Sequence, residues 1–135
     1  MKKINHLLSA RKTLKIEAKG IENLSKNLSK EFNEVCDSLL KAKGKIFTLG
    51  IGKSGHIAAI TKKDKVLIFS HSGQSEEIIH LMPYLKSVGC EYFSITGSRN
   101  SHIALNSMIN LDTGVSEEAC PLDLAPTTST TAALA

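Results

Sequence analysis

Lys65–Glu77 reads KVLIFSHSGQSEE, and its reading decides the fold. Val66, Leu67, Ile68 and Phe69 form an unbroken apolar run, the pattern of a strand covered on both faces in the parallel sheet of an α/β protein. The run stops at a serine- and glycine-rich turn. From Ser75 the spacing becomes helical, with Glu76 and Glu77 ahead of Ile78, Ile79, Leu81 and Met82. The loop therefore stands at the carboxyl end of a strand, where open α/β sheets bind ligands. Ser70, Ser72 and Ser75 supply hydroxyls, Gly73 permits positive φ or close approach of a ligand, and the helix start leaves backbone N–H groups unpaired. Donors converge where an anion the size of phosphate would sit. The same letters also spell an ordinary helix N-cap at Ser75, and the loop alone does not separate the two readings.

The pattern repeats on either side. Lys45–Leu49 (KIFTL) predicts the first strand, followed by a second glycine-rich turn, Gly50-Ile51-Gly52-Lys53-Ser54-Gly55, with a helix from about Ser54. Lys53 brings a cation suited to a phosphate or to polarising a substrate oxygen. The turn lacks the spacing of a P-loop, and no acidic residue follows where a dinucleotide fingerprint needs one, which argues against a nicotinamide cofactor. The connection to Lys65 is close to the shortest that a parallel crossover allows. Glu76–Val88 predicts a helix with a kink at Pro83 and a stop at Gly89. Cys90–Thr96 is read as the third strand, Ser101 as the N-cap of a short helix over Ile103–Ser107, and Met108–Leu111 as the fourth strand. Strands alternating with helices predict a three-layer, doubly wound parallel sheet. Beyond it, Pro121 and Pro126 fix an extended loop and Thr127–Thr131 leads into a helix start. Glu117 and Glu118 fall near the carboxyl end of the fourth strand, although adjacent glutamates in a loop are commonly solvated surface charge.

Ahead of the sheet, apolar residues from Ile4 to Ala42 recur mostly every three or four positions, which predicts two helical segments joined near Gly20. Ile21, Leu24, Leu28, Phe32, Val35 and Leu39 form the clearer stripe. The chain divides on this reading into residues 1–42, a helical segment that covers the sheet or meets a partner subunit, and the α/β domain of residues 43–135. A length of 135 residues fits one domain with a real core. The formal charge of +4 comes largely from lysines in the first half, without the interleaved aromatics of a nucleic-acid surface. Cys36, Cys90 and Cys120 are odd in number and far apart, so neither a disulfide framework nor a zinc spacing is present. A reducing, cytoplasmic setting fits, and MKKINHLLSARK has the form of neither a secretion leader nor a membrane span.

GIGKSGHIA at Gly50–Ala58, FSHSGQSEE at Phe69–Glu77, ITGSRNSHIA at Ile95–Ala104 and EEACPLDLAPTTSTTAALA at Glu117–Ala135 together resemble the sugar isomerase (SIS) domain, and within it the arabinose 5-phosphate isomerase branch. The last block is the most specific of the four. The resemblance implies a flavodoxin-like SIS fold and interconversion of D-arabinose 5-phosphate and D-ribulose 5-phosphate, on the route to 3-deoxy-D-manno-octulosonate and lipopolysaccharide. It implies that Ser54, Ser70, Ser72 and Ser75, with backbone N–H groups from His71 to Gly73, hold the substrate phosphate. It places Lys53, Glu77 and Glu118 in the active site and implies a homo-oligomer, with no metal or cofactor required. The family carries further residues between Ile60 and Thr61, including a strand and a His-Gly-Asp turn, and continues past Ala135 into a His-Pro-Gly-Gly segment and often paired regulatory modules. Without those segments, a non-catalytic phosphosugar-binding module is the competing expectation.

Overall fold

Apolar side chains on both faces of a single sheet set the architecture. A computed structural model describes residues 5–50, 60–115 and 129–134. Their elements run α1 (His6–Asn27), α2 (Lys30–Leu40), β1 (Ile46–Leu49), β2 (Lys65–Ser70), α3 (Glu76–Val88), β3 (Glu91–Thr96), α4 (His102–Asn106), β4 (Asn110–Asp112) and α5 (Ser129–Leu134). The strands pair in parallel in the order β1-β2-β3-β4. Ser70 lies opposite Thr96, and Thr96 opposite Asp112, so three strand ends form one rim.

Against one face, Leu49, Val66, Ile68 and Tyr92 pack with Ile78, Met82 and Leu85 of α3 and Ile103 of α4. On the other, Phe93, Ile95 and Leu111 meet Val35, with Phe32, Leu39 and Leu134 packed around them. The two described crossover helices, α3 and α4, thus share a face, as right-handed crossovers between sequentially ordered parallel strands require. The apolar run of β2 feeds both clusters: Val66 and Ile68 are fully buried, while Leu67 and Phe69 are half-buried on the opposite side. This is the three-layer α/β arrangement expected from the alternation of patterns.

Several boundaries differ from the sequence reading. α1 continues through Gly20, and the chain turns instead at Leu28 and Ser29, whose backbones leave the helical region. A side chain at position 20 would reach Thr130 Cγ2 and Val115 Cγ1 at 3.3 Å, so Gly20 serves close packing against the domain rather than a joint. The stripe from Ile21 to Leu39 is consequently split between two helices; α2 lays Val35 on the sheet, whereas Leu7, Leu8 and Leu14 of α1 remain exposed. α3 runs unbroken past Pro83 and ends, as expected, at Gly89, whose φ of 73° makes a left-handed cap. β4 begins two residues later than expected, because its register with β3 opens at Ser94 opposite Asn110 and Met108 is exposed. The helix predicted from Ser54 lies outside the described residues.

Candidate functional site

Ser70 ends β2 on a buried position, so its hydroxyl must find a partner, and it does so across the turn: Ser70 Oγ and Ser75 Oγ are 2.9 Å apart. That bond takes Ser75 away from the role its position suggests. Although Ser75 is the N-cap residue of α3, it makes no side-chain cap hydrogen bond; only its carbonyl accepts from Ile78 and Ile79 N. The opening N–H groups of a 13-residue helix are therefore left without the hydroxyl that would normally satisfy them. Their partial positive charge attracts an anion at the mouth of the loop. Ser72 Oγ accepts from Gln74 N at 3.2 Å and Ser72 is exposed, which leaves its hydroxyl hydrogen for a ligand.

Gly73 shapes the turn. Its φ is +61°, its N–H donates to Ser70 O at 3.0 Å, and its carbonyl accepts from Ile103 N at 3.0 Å. A Cβ there would fall on Ser101 Oγ and Cβ, so glycine is required twice, once by the backbone and once by the neighbour. Ser101 in turn caps α4 by accepting from Ala104 N, as its position in sequence predicts. The β2 loop is thereby locked to the start of α4.

His71 faces a different neighbour. Its Nδ1 lies 3.1 Å from Thr131 Oγ1, and its carbonyl accepts from Gly97 N at 2.8 Å. Thr131 Oγ1 is 2.8 Å from Thr113 Oγ1, which lies 3.1 Å from Thr96 O, and Thr130 Oγ1 donates to Thr113 O at 2.7 Å. These threonines gather α5 onto the same rim. Sequence reasoning read the threonine block as a helix start and as part of the resemblance at Glu117–Ala135; its pairing with His71 spans sixty positions and had no local signal.

The structure brings Ser70, His71, Ser72, Gly73 and Ser75 together at the carboxyl end of β2. Glu77 sits exposed in the first turn of α3, with no hydrogen-bond or ion-pair partner among the described residues. Lys53, Ser54 and Glu118 lie outside the described residues. Cys90 is buried behind the sheet, donates its thiol to Asp64 O, and is pushed up in pKa by that burial, which suits packing rather than nucleophilic work. Among the described residues no group of three His, Cys, Asp or Glu side chains is arranged to hold a metal ion, and no helix is long and apolar enough to cross a membrane.

Residues 57–135 match the family model of the SIS domain. Arabinose 5-phosphate isomerase KdsD of Pseudomonas aeruginosa is 34% identical over 159 residues, covering 97% of this chain and 49% of the relative. Arabinose 5-phosphate isomerase KpsF of Escherichia coli is 33% identical over 158 residues, covering 96% of this chain and 50% of the relative. The chain thus spans about half the length of the curated relatives it matches. Both alignments are longer than the chain itself, so the relatives carry residues within the matched region that this chain lacks. Among solved structures, c3406 of E. coli CFT073 in complex with arabinose 5-phosphate superposes with a TM-score of 0.81 at 26% identity, over 99% of this chain and 86% of that one.

Proposed function

The chain belongs to the SIS domain family, and from that premise we propose that it is an aldose-ketose isomerase interconverting D-arabinose 5-phosphate and D-ribulose 5-phosphate. The observation that carries the proposal is the bond between Ser70 and Ser75, which leaves the first turn of α3 uncapped at the carboxyl end of β2. A phosphate there accepts from the helix amides and from the hydroxyls of Ser72 and Ser75, with Ser54 adding a donor from the first glycine-rich loop. The names of the curated relatives and the sugar-phosphate complex of c3406 supply the substrate.

The reaction moves a proton between adjacent carbons through an enediolate. It needs a base for the C2 proton and a cation beside the oxygen that gains charge. In this proposal Glu118 is the base, Lys53 stabilises the enediolate oxygen, and Glu77 orients Lys53 or a sugar hydroxyl. The proposal extends to a cytoplasmic homo-oligomer that supplies 3-deoxy-D-manno-octulosonate synthesis, and to a division of labour between residues 1–42 and the phosphosugar domain of residues 43–135.

A second reading, a non-catalytic phosphosugar-binding module, is favoured by the residues that the relatives carry and this chain lacks. Turnover of D-arabinose 5-phosphate by the purified chain separates the two: ribulose 5-phosphate formation supports the isomerase, and binding without turnover supports the module. Glu118→Gln should abolish exchange of the C2 proton with solvent while sugar phosphate still binds. Unchanged exchange removes Glu118 from the base role.

A further inference from the structure

Only one direction makes all three contacts of the chain from His71 hydrogen bonds, because the reverse leaves two oxygens, Thr113 Oγ1 and Thr96 O, facing each other with no hydrogen between them. Thr96 O already accepts from Thr113 N at 2.8 Å and, as a carbonyl, can only accept again, so its 3.1 Å contact with Thr113 Oγ1 is a hydrogen bond only when Thr113 places its one hydroxyl hydrogen there. Thr113 Oγ1 must then accept from Thr131, which lies 2.8 Å away and is thereby left without a hydrogen of its own. Thr131 Oγ1 can only accept from the ring of His71 at 3.1 Å. The order is His71 Nδ1–H to Thr131, Thr131 to Thr113, and Thr113 to the carbonyl that ends β3. Thr113 and Thr131 are buried, at 1% and 8% exposure, so water does not stand in for a missing link.

We propose that His71 is a positioning residue, held with its hydrogen on Nδ1, which ties the β2 loop to α5 through this one-way chain. The inference rests on the reading of that loop as the phosphate site, which it deepens. The loop is also held through Gly73 against Ser101 and α4, and through the His71 carbonyl, which accepts from Gly97 N. The His71 ring adds a tie to α5, through Thr131. One imidazole hydrogen thus sets where the anion-holding amides stand relative to α5.

Two arms test this. Nitrogen-15 NMR of the ligand-free chain reads the ring directly: a hydrogen on Nδ1 is expected, and a bare Nδ1 overturns the proposal. Affinity for D-arabinose 5-phosphate is then compared between His71→Asn, whose amide donates from close to the Nδ1 position, and His71→Gln, whose amide donates from close to the Nε2 position. His71→Gln is expected to weaken binding about tenfold, the cost of breaking one buried link, and His71→Asn to recover most of that loss. Equal losses in the two variants overturn the positioning role. Should the unaltered chain bind no sugar phosphate, the reading of the loop fails, and the NMR arm still decides the direction of the chain.

Discussion

Replacing Gly73 by alanine tests the turn on which the site is built. The new methyl group meets Ser101 Oγ and Cβ, and Thr96 Cγ2 lies 3.4 Å away, so the side chain has no free direction. Three costs combine. A non-glycine residue at φ +61° costs about 1–2 kcal/mol. Forcing a methyl into occupied space costs about 1–3 kcal/mol. If Ser101 swings aside, α4 loses its N-cap bond to Ala104, at about 1 kcal/mol. The expected loss is about 3–6 kcal/mol, a large share of the roughly 5–15 kcal/mol that holds a domain together. For a chain of 135 residues this lowers Tm by about 10 °C or more. Urea titration and calorimetry measure it, with the double variant G73A/S101G as the control. Glycine is a tolerable N-cap and removes the colliding atoms, so the double variant should be more stable than G73A alone. A loss under about 1 kcal/mol for G73A, or a double variant less stable than G73A, would refute the packing argument.

Other consequences are separable. Ser70→Ala removes the partner that holds Ser75, so Ser75 is freed to cap α3; stability should change by about 1 kcal/mol or less, while phosphate affinity measured by calorimetric titration falls. Asp64 accepts from Lys45 N at 2.6 Å and from Thr61 N and Oγ1 at 2.7 and 2.8 Å, bonds that lower its carboxyl below the ordinary 3.8. Because the folded value is the lower one, its contribution is fully present above pH 3.8 and is lost as pH falls through the folded value. Asp64→Asn should therefore unfold more easily at neutral pH and show a shallower acid limb, read from Tm against pH; parallel curves for the two proteins would contradict this. Asn5→Ala removes the acceptor for Leu8 N at 3.1 Å, and should cost about 1 kcal/mol or less, seen as reduced helicity at 222 nm.

How far the site could be read in advance depended on whether its causes were local. The apolar run of β2, the change of period at Ser75, the helix stop at Gly89 and the N-cap at Ser101 each act within a few residues, and all appear in the fold. Gly20 misled because a glycine in a helical pattern has two explanations, and the packing of Thr130 and Val115 against α1 selects the second. Ser75 was legible as a cap by position, yet its hydroxyl is drawn to Ser70, which is buried and otherwise unsatisfied. His71 and Thr131 are joined only because α5 returns to the rim of the sheet. The grouping of Ser70, Ser72 and Ser75 was visible from the serine spacing, whereas the absence of a side-chain cap on α3, which gives the loop its affinity for anions, needed the fold.

The central claim is that the β2 loop and the first turn of α3 hold the phosphate of a sugar. Amide NMR of the chain titrated with D-arabinose 5-phosphate tests it most directly. The account predicts that the largest shifts fall on the N–H groups of His71 through Glu77 and saturate together. Shifts that leave those amides unmoved, or that gather elsewhere on the domain, would contradict it.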